Sequence, residues 1–159
     1  KKNGAISKIS RFWIRIIFTM LEKLNPLLLK HQESTYSLFF KAVSQTLMEL
    51  CSDSKYLGAT PGITAVLHTW GQNLSFHPHI HCIVTGGGLT RDQKWRSFRQ
   101  KFFLPVKVLS RKFRGKFLAF LRQAGLAYPD TVSQKDRVVY CKPPAKVWHL
   151  GQCRFRQKL

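Results

Sequence analysis

Apolar residues follow two spacings along this chain, and each spacing predicts a different kind of element. A run of aromatic and β-branched residues over 12–19 has the length and composition of a β-strand. Asn25-Pro26 supplies an N-cap and a proline suited to the first helical position, and apolar residues then recur at steps of three and four. These apolar residues are Tyr36, Phe39, Phe40, Val43, Leu47 and Leu50. We therefore predict a first strand and then a long amphipathic helix that ends near Asp53.

Two further runs of strand composition follow this helix. A break rich in glycine and proline over 58–62 precedes the run 63–70. After a turn, a second run covers 79–85 and is expected to end at the three glycines 86–88. Because the connection between the two runs is short, we predict that they pair as an antiparallel hairpin.

The sequence signals for helices and strands are weaker in the second half of the chain. Residues 102–108 contain a proline that cannot donate to a central ladder, which favours a short edge strand. Ser110 suits the N-cap of a helix that Gly125 closes. The apolar face of this helix would carry Phe113, Phe117, Phe120 and Leu121. A last strand is predicted over 137–142, and residues 145–159 show no clean period.

The charge of the chain points to a polyanionic partner. The chain has 27 Lys plus Arg against 7 Asp plus Glu, which gives a formal net charge of +20. Such a charge repels itself in a compact state unless polyanions neutralise it, and phosphate backbones are the usual polyanions. A membrane-surface protein would concentrate its basic residues on one amphipathic helix, whereas here they run along the full length. Nucleic acid is therefore the expected partner, and a membrane is not.

Length and composition predict one folded domain. With 44% apolar residues in 159, the chain can bury a core, and no apolar run approaches the ~18 residues of a membrane span. Lys1-Lys2-Asn3-Gly4 resembles neither a natural start nor a signal peptide, so we expect a fragment. Its parts would be a basic lead over 1–11, a core over 12–144 and a degenerate or out-of-frame tail over 145–159. The four cysteines form no C-x-x-C pair, which favours a reducing, cytoplasmic location.

Histidines concentrate on the predicted hairpin. His79 and His81 are two residues apart in a strand, so they share a face while Ile80 points the other way. Such a pair is a ready metal chelate. His68 precedes His79 by eleven positions and could supply a third ligand from the paired strand. Two alternatives for that ligand are His77 and Gln72.

The surroundings of the pair disfavour hydrolytic zinc chemistry. A catalytic zinc site usually adds a carboxylate or thiolate to its histidines. No acidic residue lies within ten positions of the His79 and His81 pair, and Cys82 is expected to point away from it.

The histidine segment resembles the rolling-circle transposases of the insertion sequence 91 type, and the resemblance extends from about Phe12 to Pro143. The residues that carry it are His77-Pro78-His79-Ile80-His81-Cys82-Ile83-Val84-Thr85-Gly86-Gly87-Gly88-Leu89, with Ala65-Val66-Leu67-His68-Thr69-Trp70-Gly71-Gln72-Asn73-Leu74 before them. The resemblance implies the α/β (α+β) fold of HUH endonucleases, a central antiparallel sheet flanked by helices.

In that superfamily, two histidines separated by a hydrophobic residue hold a divalent metal over the scissile phosphate. The resemblance thus implies Mg²⁺ or Mn²⁺ at His79 and His81. The spacing of His68 is similar to the three-histidine arrangement of conjugative relaxases, which favours it over Gln72 as the third ligand.

The expected nucleophile departs from the family pattern. The family carries two tyrosines four residues apart, and the matching stretch here is His149-Leu150-Gly151-Gln152-Cys153. Whether the tail is degenerate or out of frame, the tyrosine pair is missing. The chain is therefore expected to be inactive by itself.

We predict from these observations a transposase that nicks single-stranded DNA. Aromatic planes and basic residues would contact the strand. The candidates are Trp70, Gln72, Trp95, Lys107, Arg111, Lys112 and Arg114. A non-catalytic basic module that binds nucleic acid is the alternative, with its histidines as bystanders. A zinc-dependent hydrolase is a third hypothesis.

Overall fold

The computed structural model describes residues 13–71, 73–98, 104–129 and 132, and the backbone of 139–142. The strands are β1 (Trp13–Thr19), β2 (Thr60–Trp70), β3 (Phe76–Leu89), β4 (Trp95–Ser97) and β5 (Val139–Lys142). The helices are α1 (Asn25–Lys30), α2 (Gln32–Ser52) and α3 (Val106–Gln123), and a 3-10 turn covers Glu22–Leu24. None of these helices is long and apolar enough to cross a membrane. The predicted lead over 1–11 and tail over 145–159 lie outside the described residues.

The five strands form one antiparallel sheet in the order β2-β3-β1-β5, and β4 pairs with β3. The predicted hairpin is confirmed as the β2–β3 pair. The first strand is confirmed as β1, which pairs with β3 from Trp13 opposite Thr85 to Thr19 opposite His79. β3 therefore lies at the centre of the sheet with a partner on each side.

Side chains alternate between two very different faces of this sheet. One face is apolar and buried by α2 and α3, since Phe18 of β1 contacts Phe113 at 5.1 Å between ring centroids and Phe39 contacts Phe113 at 5.6 Å. Ile80 and Cys82 of β3 point into the same core and are fully buried. The mixed architecture of helices on an antiparallel sheet confirms the predicted fold class.

The helix predicted after Asn25 is two helices. His31 adopts φ −130° and ψ 51°, which interrupts the helix between α1 and α2. Its carbonyl accepts hydrogen bonds from the backbone N–H and the hydroxyl of Thr35, so the hydrogen bonding of α2 begins directly at the break. Asn25 is the first residue of α1 and caps nothing with its side chain, which donates from Nδ2 to the carbonyl of Phe76 at 3.0 Å. The predicted end near Asp53 is confirmed.

The predicted edge strand over 102–108 is wrong for Val106, Lys107 and Val108, which form the first turn of α3. Pro105 is the N-cap, and its carbonyl accepts hydrogen bonds from the N–H groups of Val108 and Leu109. The missing N–H of proline costs nothing there, because the first N–H groups of a helix have no intrahelical partner. Ser110 therefore lies inside the helix rather than at its start.

The three glycines at 86–88 continue β3 instead of ending it. A Cβ on Gly88 would lie 2.4 Å from the carbonyl oxygen of Thr60, and one on Gly87 would lie 2.5 Å from that of Arg96. Glycine thus permits the close approach of β2 and β4 to the far half of β3. β4 pairs with this half and was not predicted from the sequence.

Candidate metal centre and nucleic-acid surface

The β2–β3 hairpin brings three predicted histidines to one place. His68 of β2 and His79 of β3 are direct cross-strand partners, and His81 follows on the same side of β3. The intervening Ile80 and the adjacent Cys82 point into the core. We call the opposite side of the sheet, which carries His68, His79 and His81, the histidine face.

The three imidazoles are close enough to share an ion. Their candidate ligand nitrogens all lie within 4.8 Å of one another. His68 and His81 stack with ring centroids 4.6 Å apart, and His79 lies 5.0 Å from His81. A bound divalent ion sits about 2.1 Å from an imidazole nitrogen, so small side-chain rotations bring all three within reach of it. The residues present therefore fit a divalent metal ion.

A main-chain hydrogen bond orients His79. Its Nδ1 lies 2.6 Å from the carbonyl oxygen of His77, and since a carbonyl only accepts, Nδ1 carries the proton. Nε2 is then the nitrogen left for a metal, which is how ligating histidines are commonly held. His77 itself is exposed, with its ring 5.5 Å from that of His79. Gln72, the other alternative ligand, lies outside the described residues.

Burial and neighbouring charge favour the neutral, ligating form of His81. Burial lowers the pKa of His81, and His68, His79 and Arg15 lower that pKa further by charge repulsion. Imidazole must be neutral to bind a metal, so this shift favours binding near neutral pH. On the core side of the same strand, burial raises the pKa of the Cys82 thiol to about 12. Cys82 therefore stays a thiol and takes no part in the site.

Exposed aromatic and aliphatic side chains surround the histidines. Trp70 of β2 is 61% exposed and Trp13 of β1 is 45% exposed, and Val66 and Ile83 on the same face are also exposed. Arg15 adds a positive charge next to Ile83, its partner in the β1–β3 ladder. No helix among the described residues covers this face.

The other predicted DNA contacts lie elsewhere. Trp95 is on β4, where its ring packs on Gly87 and its Nε1 donates to the hydroxyl of Ser97 at 3.1 Å. Its ring is half-buried, so only part of it is accessible. Of the predicted contacts that the structure describes, Trp70 is thus the one next to the histidines.

The basic residues of α3 belong to the helix layer, on the opposite side of the sheet. α3 turns Leu109, Phe113 and Phe117 toward the core. The predicted DNA contacts on its other sides are Lys107, Arg111, Lys112 and Arg114. Lys112 forms an ion pair with Glu49 of α2 at 2.9 Å. The structure thus divides the predicted DNA contacts between two sides of the molecule.

Sequence reasoning missed Trp13 and Arg15 as members of the histidine face. The alternation of β1 could have placed them together, opposite the buried Ile14 and Ile16. Their position on this face depends on the pairing of β1 with β3, which joins residues sixty or more positions apart and places Arg15 opposite Ile83 and Trp13 opposite Thr85.

The sequence of the chain matches a known protein family. The family model Y2_Tnp, described as "Putative transposase", matches residues 62–150, which is more than half of the chain. The chain belongs to this family of transposases. The match includes all of β3, β2 from Gly62 onward, and the three histidines.

Two curated relatives in this transposase family are similar to the chain. "Putative transposase y4qJ" of Sinorhizobium fredii (strain NBRC 101917 / NGR234) is 44% identical over 113 residues, which cover 70% of this chain and 28% of the relative. "Transposase for insertion sequence element IS801" of Pseudomonas savastanoi pv. phaseolicola is 33% identical over 85 residues, covering 54% and 20%. The chain thus spans less than a third of either relative.

The solved structures that resemble this family member are conjugative relaxases. TrwC in complex with oriT DNA, in its copper-bound form, superposes with a TM-score of 0.62 at 15% identity, covering 82% of this chain and 48% of that one. The metal-bound TrwC–oriT complex gives a TM-score of 0.57 at 16% identity, covering 72% and 44%. At these identities the likeness shows the fold, which is that of an HUH-type endonuclease.

Proposed function

We propose that this chain is the metal-holding and DNA-positioning domain of a DNA transposase that nicks and transfers single-stranded DNA in the cytoplasm. The observation that carries the proposal is the grouping of His68, His79 and His81 on the histidine face of the sheet. Membership of a transposase family and the relaxase-like fold support it. The relaxase structures are complexes with DNA, and we extend that partner to this chain.

The proposed ligands are His68, His79 and His81, and the proposed ion is Mg²⁺ or Mn²⁺. Such an ion, when bound, offsets the negative charge that develops on a phosphodiester during in-line attack. His79 is held ready by its hydrogen bond to the carbonyl of His77. Three neutral imidazoles leave the full charge of the ion available for this purpose.

The proposed DNA strand lies across the histidine face. Trp13 and Trp70 offer exposed rings on which unpaired bases can stack, and Arg15 can neutralise a phosphate between them. Bases in a duplex are already stacked on one another, so this surface favours single strands. We propose that the basic residues of α3 hold flanking DNA at a distance from the histidines. Trp95 and Gln72 remain proposed DNA contacts.

We further propose that the chain lacks the nucleophile for the covalent step. The positions that match the family tyrosines are His149 and Cys153, which lie outside the described residues. The tyrosine side chains that the structure describes, Tyr36, Tyr56 and Tyr128, pack against the hydrophobic core. The hydroxyl of Tyr128 also accepts a hydrogen bond from Nε of Arg122 at 2.9 Å.

Iron-directed cleavage tests the central proposal without needing a nucleophile. Fe²⁺ replaces the metal, and ascorbate and peroxide then generate hydroxyl radicals that cut an end-labelled single strand close to the ion. We expect cuts confined to a few neighbouring nucleotides. The His79→Ala/His81→Ala double variant should bind the strand in EDTA as the parent does but lose the confined cuts.

The same experiment separates the proposal from its rivals. A non-catalytic basic module would show the same cleavage pattern with and without the two histidines. A zinc hydrolase would retain stoichiometric zinc through purification, which elemental analysis measures. Either result would contradict the proposed function.

A further inference from the structure

The turn between β2 and β3 places a leucine where a leucine has no role in the fold. Leu74 is 80% exposed and has φ +59°. The turn around it is well bonded, because the N–H of Gly71 donates to the carbonyl of Ser75 and the N–H of Leu74 donates to that of Gly71. The side chain of Asn73 accepts from the N–H and hydroxyl of Ser75. Leu74 is therefore held in a defined position.

Neither property of Leu74 stabilises the folded chain. A positive φ costs a non-glycine residue free energy, and glycine would adopt it without strain. An apolar side chain that stays exposed to water contributes no burial free energy to folding. Strained backbone of this kind clusters at sites of function, where the surrounding structure holds it in place.

Trp70 is a second exposed apolar residue at this end of the hairpin, on the side toward the histidines. Its ring is 61% exposed and meets the ring of Phe76 edge-on, with centroids 6.2 Å apart. It is two residues from His68 along β2, and both side chains are exposed in the alternating pattern of that strand. Two strand residues span about 6.6 Å, so Trp70 lies beside the metal ligands.

We propose that Trp70 and Leu74, together the hairpin tip, grip the unpaired bases next to the phosphate that the histidines hold. Trp70 stacks on one base, and Leu74 packs against the edge of the next. Single-stranded DNA is the occupant that fits, because the tip is continuous with the histidine face of a chain with a net charge of +20. Apolar stacking surfaces also contact bases with little regard to sequence. This inference rests on the proposed function.

A glycine substitution distinguishes this role from a structural one. Leu74→Gly relieves the positive φ, so the melting temperature should stay the same or rise. The affinity for a fluorescent single-stranded oligonucleotide, measured by anisotropy in EDTA, should fall about threefold or more. Trp70→Ala should weaken binding by about 5- to 100-fold, the range for loss of one stacked base. Mn²⁺ affinity should be unchanged in both variants.

Gln93→Gly is the matched control. Gln93 has φ +58° in the turn between β3 and β4, so glycine relieves the same backbone conformation in the other hairpin. This variant should gain as much stability as Leu74→Gly and keep parental DNA affinity. Parental single-strand affinity in both Leu74→Gly and Trp70→Ala would overturn the hairpin tip alone. Equal losses of affinity for blunt duplex DNA in these two variants would also overturn the hairpin tip. A parent chain that binds no single-stranded DNA would overturn both the hairpin tip and the proposed function.

Discussion

His68 and His79 are direct partners across the β2–β3 pair, with ring centroids 5.3 Å apart. The ladder shifts between His68 and Trp70, since Trp70 pairs with Phe76 and β3 accommodates one more residue than β2 in this interval. Because strand side chains alternate, a one-residue change in this register would turn His68 or the His79 and His81 pair into the core. The length of the hairpin connection therefore determines whether the three histidines can meet.

Metal binding should depend on the three histidines in a graded way. The double change His79→Ala/His81→Ala should abolish Mn²⁺ binding, and His68→Ala should weaken it by at least tenfold. Mn²⁺ should bind more tightly than Mg²⁺, because Mg²⁺ prefers oxygen ligands over imidazole. Isothermal titration calorimetry measures all of these affinities.

His77→Ala is the control for this series. It removes the ring but keeps the main-chain carbonyl that orients His79, so Mn²⁺ affinity should stay near the parental value. Unchanged binding in the double variant would contradict the assignment of the site. Parental affinity in His68→Ala would move the third ligand to Gln72 or His77.

DNA affinity should fall steeply with salt, and both sides of the molecule should contribute to the slope. For single strands the log-log slope is about 0.7 per phosphate neutralised. Arg15→Ala should reduce it by about 0.7, and Lys107→Ala/Arg111→Ala should reduce it by about 1.4. Titrations between 50 and 300 mM salt, roughly the range where such slopes are linear, measure these values. A slope near zero, or preference for duplex, would argue against the proposed strand path.

The chain should form no covalent 5′-phosphotyrosyl adduct with DNA. Restoring the family pattern with His149→Tyr/Cys153→Tyr tests whether the tail is in frame, because hydroxyls four residues apart on a helix share one face. A labelled DNA band that survives denaturation reports the adduct.

Three outcomes of this experiment have different meanings. An adduct only in the double variant supports the alignment of the tail. An adduct in the parent chain, located by peptide mapping, would show that another tyrosine attacks. No adduct in either form would favour an out-of-frame tail.

Glu49 should stabilise the fold slightly and only above acidic pH. Hydrogen bonds from Lys116 and Lys112 lower the pKa of its carboxyl. A lowered folded pKa adds stability that is complete above the unfolded value and is lost as pH falls through the folded one. Glu49→Gln should therefore cost less than about 1 kcal/mol at pH 7, because the pair is exposed. The cost should shrink below about pH 4. Urea unfolding at both pH values measures it, and a cost that grows on acidification would contradict the assignment.

Local sequence patterns predicted most helices and strands, because these elements form largely through the preferences of neighbouring residues. The β-branched run of β1, the helical spacing of α2 and the histidine pair of β3 were all visible in the sequence. Most errors arose where contacts between segments far apart in the sequence determine the local structure. The glycines of β3 have the composition of a strand end, but in the structure they allow the backbones of Thr60 and Arg96 to approach β3 closely. Pro105 is a different case, because its local pattern suits both a strand edge and a helix start. The hydrogen bonds that its carbonyl accepts from Val108 and Leu109 show that it starts a helix.

The candidate site was predictable for the same reason, and only in part. His68, His79 and His81 lie on one hairpin, so alternation and a short connection suffice to bring them together. Trp13 and Arg15 reach the site through a long-range strand pairing that no local pattern encodes. The division of basic residues between two sides of the sheet depends on which face α3 covers, and the sequence alone does not specify it.

The hydrogen bond from His79 to the carbonyl of His77 has an evolutionary consequence. In many metal sites the group that orients a ligating histidine is another side chain, which a single mutation can remove. Here the acceptor is part of the peptide chain, so every residue type at position 77 provides it as long as β3 keeps its path. Drift at that position therefore leaves the tautomer of His79 intact, and sequence variation there is a poor guide to loss of the proposed metal site among related chains.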